Sequence, residues 1–335
     1  MEIIVHKIDK PARLDLYLAE IDKEKSRSQW QKLAKAGVIL VNGKIATPHL
    51  TVHPGDEIII EKRETRNEKR ESAKISIEIL ANEPDYFVIN KPSGLASDEP
   101  IGFKGQSIGP MLAEQHPILT AVPDFGLVHR LDAEASGCLI IAKNEQSQNY
   151  LHSKFHDREI HKYYLVLVSG HTKWDEHTAD FAIGRSSAGY KMAARPKPNE
   201  QSKEAHTIFY TLARAQKMYS LVLAKTLTGR THQVRVHAKA LGHPVAGDKI
   251  YNPQWKPGVK HNVILNRLFL HCLGLEIPWP KYGLSGNLKV LEKRFYTSPL
   301  PQDLGEVLTA LKINKKEIEK KLTELEDKLA NVEIM

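Results

Sequence analysis

Residues 127–143 read LVHRLDAEASGCLIIAK. The stretch places His129, Arg130, Asp132 and Ser136 in close succession and then runs into the apolar segment CLIIA. On an extended strand, side chains two residues apart point the same way, so Arg130 and Asp132 are expected to share one wall of a pocket. Their spacing fits a solvated surface ion pair equally well. The rest of the chain has to decide between the two.

Outward from that stretch, short apolar runs recur between turn residues: ISIEIL (75–80), YFVIN (86–90), YYLVLV (163–168) and YSLVLAK (219–225). These read as strands. HQVRVHAKALGHP (232–244) reads as a helix, stopped by Gly242 and Pro244. Strands outnumber helices and no regular β-α-β rhythm appears, so the expected class is mixed α+β. Beyond Leu304, Leu308, Leu311, Ile318, Leu322, Leu325, Leu329 and Val332 step by about three and a half residues, with Lys315 interrupting the seam. A single amphipathic helix packed on its own domain is expected over 305–335.

The first 61 residues look self-contained. PARLDLYLAEI (11–21) sets Leu14, Leu18 and Ile21 at helical spacing, and SRSQWQKLAKAG (26–37) opens on a serine cap and closes on Gly37. Asn42-Gly43 in VILVNGKI is a strong hairpin signal, and HPGDEIII adds a turn and a strand. Residues 62–74, KRETRNEKRESAK, lack any large apolar side chain and read as a solvated linker. The domain from 75 to 304 follows.

At 335 residues with 41% hydrophobic side chains, the chain can bury a sizeable core. A formal charge of +8 favours a polyanionic partner, nucleic acid before membrane. Cys138 and Cys272 each lie in an apolar run and read as buried thiols in a reducing compartment. The N-terminus shows no signal-peptide pattern, and no apolar stretch is long enough to span a membrane. A soluble, cytoplasmic protein is expected.

Some familiar signatures lose their force in context. GQSIG (105–109) matches a hydrolase nucleophile elbow at Ser107, but the elbow needs a strand before and a helix after, and Pro110 follows directly. His152 and His156 in HSKFH share a helical face without further ligands around them, so no metal is expected. No phosphate-cradling glycine motif occurs, and no nucleotide cofactor is expected.

The order RLDLYLAE, SRSQWQKLAKAGVILVNGK and VHPGDEI resembles an S4-like RNA-binding domain. The resemblance implies that Arg13, Arg27, Lys32 and Lys35 touch RNA phosphates. Four further motifs appear in sequence: EPDYFVINKPSGL, LVHRLDAEASGCLIIAK, HKYYLVLVSG and LTGRTHQVRVHAKALGHPVAGDKIY, with FLHCLGLEIPWP and TSPLPQDL near the end. Together they resemble the RluA-type pseudouridine synthases over about 220 residues. An S4-like domain ahead of such a catalytic domain is an arrangement of members that act on ribosomal RNA.

That resemblance implies a mainly antiparallel central sheet with flanking helices, and an isomerase that needs neither metal nor organic cofactor. Asp132 matches the catalytic aspartate. Arg235 is the first choice for the cation beside it and Arg230 the second. Tyr164 matches the family's tyrosine, with Lys162 as its companion lysine. Arg130 handles the displaced uridine, and Asn90 and Lys91 line the same pocket. The implied partner is structured RNA, 23S-type ribosomal RNA or its precursor first and transfer RNA as the alternative, with the enzyme working as a monomer. Ala135 stands where the family usually has threonine, and GLASDEP (94–100) departs from the usual continuation. The missing hydroxyl, worth roughly 1 kcal/mol as a hydrogen bond, keeps a non-catalytic RNA-binding or assembly factor as the rival reading.

Overall fold

The computed structural model describes residues 11–22, 27–35, 39–60, 76–98, 107–186, 191–216, 218–255, 265–285 and 290–325. The chain divides into two compact units, Met1–Ser76 and Ile77–Met335. The expected linker, 62–74, lies outside the described residues, as does the expected helix stop at Gly37.

In the first unit, β1 (Ala12–Arg13) leads into α1 (Leu14–Ile21) and α2 (Arg27–Lys35), followed by β2 (Ile39–Val41), β3 (Lys44–Ile45), β4 (Thr51–Val52) and β5 (Ile58–Ile60). Leu14, Leu18, Trp30, Ala34, Ile39, Val52 and Ile58 form its core. Ile21, expected on the buried stripe, is 50% exposed at the last position of α1. Asn42 and Gly43 both have positive φ (51° and 74°), the geometry of the tight turn that joins β2 to β3.

The second unit is built on one nine-stranded sheet. In chain order its strands are β6 (Glu78–Asn82), β7 (Tyr86–Lys91), β8 (Ser136–Ala142), β9 (His161–Ser169), β10 (Glu176–Ala179), β14 (Thr207–Ala215), β15 (Tyr219–Thr226), β16 (Leu270–Pro280) and β17 (Leu291–Thr297). A separate three-stranded sheet consists of β11 (Ala182–Arg185), β12 (Met192–Arg195) and β13 (Ser202–Lys203). The large sheet runs β10-β14-β15-β9-β16-β8-β7-β6, with β17 paired to β16. Every pairing is antiparallel except β8 with β16, which meet in parallel at Ser136–His271 and Gly137–Cys272.

Strand periodicity explains why both faces of this sheet are dry. On β9, Tyr164, Val166 and Val168 face one core while Tyr163, Leu165 and Leu167 face the other. The first face is covered by Leu112 of α3 (Ile108–Gln115), Leu151 of α4 (Glu145–His156), and Val234 and Ala238 of α5 (Gln233–Ala240). Leu304, Val307 and Leu308 of α6 (Gln302–Ala310), Leu311 just past its end, and Ile318 and Leu322 of α7 (Lys315–Leu325) cover the second.

The single helix expected over 305–335 is therefore two. Lys312 adopts φ +57°, which ends α6, and the Asn314 side chain accepts from the Lys316 amide (3.0 Å) to cap α7. Leu329 and Val332 lie outside the described residues. A second expectation is corrected at Pro110, which sits in the first turn of α3, where a missing N–H costs little. Ser107 just before it is buried with relaxed, extended dihedrals (φ −119°, ψ 158°), unlike a strained nucleophile elbow.

Candidate active site

Between the N-terminus of β8 and the start of α5 lies a narrow cleft of about 60 Å³. Asp132, Tyr164, Lys162, Arg130 and Arg230 all line it, brought together from segments far apart in the chain. The segment 130–134 is not a strand, as the spacing of Arg130 and Asp132 suggested, but a loop and turn in which Ala135 N donates to Asp132 O (3.0 Å). That turn closes through backbone alone, and the buried Ala135 methyl lines the cleft and packs on the adjoining core where a hydroxyl was expected.

A second loop, 92–98, holds this one in place. Gly94 N donates to Ala133 O (2.7 Å), Ser93 Oγ to Glu134 O (2.7 Å), and Ser97 Oγ to Leu131 O (2.8 Å) while accepting from Leu131 N (3.0 Å). Lys91 completes the clamp from beneath. Its fully buried Nζ donates to the carbonyls of Pro92, Leu95 and Ala133, so it shapes the loop and does not line the cleft. Burial pushes its pKa down to about 7. Asn90 also points elsewhere, donating to Glu78 (2.8 Å) and accepting from Ser298 Oγ (2.9 Å). Both residues were expected in the pocket; the alternation of β7 and the loop above it place them outside.

The expected cation for Asp132 is found in Arg235. Its Nη1 donates to Asp132 Oδ2 at 3.0 Å, while its Nε and Nη2 form a two-pronged contact with Asp248 at 2.7 and 2.9 Å. Asp248 is buried and accepts from the amides of Ile250 and Tyr251 as well (2.9 Å each). Burial alone would push Asp248 up and Arg235 down, but their mutual bonds reverse both directions, so each is charged in the folded protein. The Tyr251 ring lies 5.3 Å from the guanidinium, and its hydroxyl meets His232 Nδ1 (2.9 Å). Sequence reasoning missed Asp248, although it stands in the quoted GDKIY; nothing in the spacing marks it as the second carboxylate on Arg235.

Arg230 does not take that role. Its Nε donates to Glu204 O (2.9 Å), and its amide is held by the Gln233 side chain (3.0 Å). Gln233 also accepts from Thr228 and donates to His206 O and Thr207, which fixes the 228–233 loop over the cleft. Tyr164 lies on the cleft floor, and burial raises its pKa well above the ordinary phenol value, so its hydroxyl stays protonated. Lys162, buried beside it, is pushed down by the same cause. Arg130 stands at the mouth, 58% exposed, with Nη1 2.7 Å from Asp98.

In the first unit Arg13 and Arg27 converge on one carboxylate. The buried Asp15 accepts from Arg13 (3.1 and 3.0 Å), Arg27 (2.9 Å) and Gln31 (2.6 Å), and Arg13 also meets His49. Against the cost of burial, these donors hold Asp15 far below the usual carboxylate range. Both arginines stay exposed enough (40% and 48%) to meet a further anion. Lys32 and Lys35 fall on α2, but their side chains lie outside the described residues.

Of the remaining titratable residues singled out, His156 faces solvent beside Asp157 and His152 lines a neighbouring groove. Cys138 and Cys272 are buried free thiols. Among the described residues, no helix is long and apolar enough to cross a membrane.

Residues 85–240 match the RNA pseudouridylate synthase family, and residues 12–58 match the S4 domain. The chain is 32% identical over 312 residues to the ribosomal large subunit pseudouridine synthase D of Xylella fastidiosa, covering 90% of this chain and 89% of that one. It belongs to the RNA pseudouridylate synthase family. An uncharacterized RNA pseudouridine synthase of Bacillus subtilis is 29% identical over 317 residues, 94% of this chain and 99% of that one. The solved structure of human RNA pseudouridylate synthase domain containing 1 superimposes with a TM-score of 0.50 at 26% identity, covering 72% of this chain and 97% of that one. This synthase is thus an isomerase acting on RNA uridine, with an S4 domain at its N-terminal end.

Proposed function

We propose that this synthase converts specific uridines of large-subunit ribosomal RNA to pseudouridine in the cytoplasm, as a monomer, with Asp132 as its catalytic carboxylate. The observation that carries the assignment is the Arg235–Asp132 bond of 3.0 Å inside a cleft that also holds Tyr164. The reaction breaks the N1–C1′ bond, turns the uracil and joins C5 to C1′; C5 gives up its proton to solvent while the freed N1 takes one up, so substrate and product are isomers. A carboxylate beside the sugar serves either as nucleophile at C1′ or as base at C2′, with the Arg235 guanidinium bonded to it in both cases. Tyr164, protonated at neutral pH, offers a ring face to the base and an O–H to its edge. Arg130 reaches from the mouth to fill the stack that the uridine leaves.

In this reading residues 1–61 form the RNA-holding domain, 62–74 a linker and 75–304 the catalytic domain, with the C-terminal helices bracing the sheet. Arg13 and Arg27 contact RNA phosphate, with Lys32 and Lys35 following Arg27 on α2; Arg230 and Lys162 contact substrate. The ribosomal target is favoured by the names of relatives such as the Xylella protein. Incubating the purified protein with total RNA from cells lacking it, and mapping new pseudouridines, tests the proposal. New sites in large-subunit ribosomal RNA are expected with wild type and none with Asp132→Asn. Sites confined to transfer RNA would overturn the target, and sites made by Asp132→Asn would overturn the catalytic assignment.

A further inference from the structure

Beside the catalytic cleft lies a second, larger groove of about 490 Å³, and Arg130 forms a wall of both. Its volume falls within the range of sites that take small organic ligands, about 300–1,000 Å³. Phe125 forms one side. Asp124 and Phe125 both adopt left-handed backbone geometry (φ 48° and 53°), followed by Gly126 at φ +77°. Two successive non-glycine residues held there are costly, and such strain gathers at ligand clamps. The strained turn presses Phe125 so close to α3 that a Cβ on Gly109 would come within 2.8 Å of its ring. The aromatic wall is thereby fixed while Asp124 stays exposed.

The charge of the groove argues against a phosphate. Asp98 and Asp124 both line it, and Asp98 already neutralises Arg130 at 2.7 Å. Carboxylates beside an aromatic face suit a flat, neutral group that donates hydrogen bonds, which is what a nucleobase with an exocyclic amino group presents.

The geometry points to this groove as a second nucleotide site, which takes the base next to the target uridine in the RNA strand and favours one with an amino group over uracil. The inference rests on the proposed uridine isomerisation in the neighbouring cleft. Arg130 separates two consecutive bases, the target on the Asp132 side and its neighbour stacked on Phe125. Asp124 accepts from the neighbour's amino group, and the site reads sequence beside the modified position.

The test uses the full chain and a synthetic RNA carrying the mapped target uridine, with the nucleotide on each side of it changed in turn to A, C, G and U, and A also to purine riboside, which lacks the amino group. For wild type, kcat/KM is expected to be about tenfold higher with an amino-bearing base at one of the two positions than with uridine or purine riboside there. Asp124→Gly removes the acceptor, adopts left-handed geometry freely, and is expected to erase that preference by bringing the rate on amino-bearing neighbours down to that on the uridine-flanked RNA. Phe125→Leu should raise KM about tenfold for every neighbour, with kcat preserved. If wild type forms no pseudouridine on any of these RNAs, the isomerase reading of the cleft itself falls. Should it form pseudouridine with no neighbour preference, or should Asp124→Gly retain the preference, the groove assignment is wrong and the cleft assignment stands.

Discussion

Arg235 is buried with three carboxylates within 4 Å: Asp248 at 2.7 Å, Asp132 at 3.0 Å and Glu134 at 3.7 Å. The fork onto Asp248 uses Nε and Nη2 and leaves Nη1 aimed at Asp132, a division of labour that a lysine cannot reproduce. Arg235→Lys is therefore expected to lower kcat/KM by roughly a hundredfold, measured by single-turnover assay; an unchanged rate would free Asp132 from dependence on that geometry. Asp248→Asn strips a buried arginine of its main counter-charge and should cost about 3 kcal/mol in urea unfolding. Arg235 and Asp132 were both legible in the sequence because they sit in motifs of strong resemblance. Asp248 was not, because what singles it out is its approach to Arg235 through the fold, which no spacing along the chain reveals.

At the level of elements, the site depends on one change of direction in the sheet. Gly137, immediately after Ser136, has φ +111°, and a Cβ there would lie 2.2 Å from the Cys272 carbonyl oxygen. Glycine lets β8 run against β16 in parallel, and the loop carrying Asp132 emerges where that pairing begins. His271 anchors the same junction from β16: its Nδ1 meets Ser136 Oγ at 3.0 Å and its Nε2 meets Ser298 O at 3.2 Å. Burial pushes the His271 pKa down to about 4, against an ordinary value of 6.5. Between those values the unfolded chain binds a proton that the folded one refuses, so stability is complete above pH 6.5 and falls as pH drops toward 4. The loss from this group amounts to about 3 kcal/mol across that window. Urea midpoints between pH 7 and pH 4 should show it, and His271→Gln should flatten that slope; an equal slope in the variant would refute the assignment. The strands themselves were readable from their apolar runs. The break between α6 and α7 was not, because leucines spaced for one helix also serve two short helices laid on the same face.

On the scale of the whole molecule, each of the two units has its own hydrophobic core. Removing residues 1–62 should therefore leave the catalytic unit folded while weakening RNA binding and flattening its salt dependence. For every phosphate that the shortened protein no longer neutralises, the slope of log K against log salt falls by about 0.7 to 0.9. An unchanged slope would remove the RNA role from Arg13 and Arg27. The α+β class, the antiparallel bias of the sheet and the S4 domain were all visible in the sequence. Hidden from it were Lys91 as a buried clamp, the Asp15 carboxylate between two arginines, and the groove beside the cleft, since each arises from burial and long-range approach.

Asp132 is expected to perform the isomerisation, and the C5 proton reports on it directly. With RNA labelled with tritium at C5 of uridine, wild type should release tritium to water in a single turnover. Asp132→Asn should bind the RNA with similar affinity and release tritium at least about a thousandfold more slowly. Tritium release by Asp132→Asn at the wild-type rate would contradict the account.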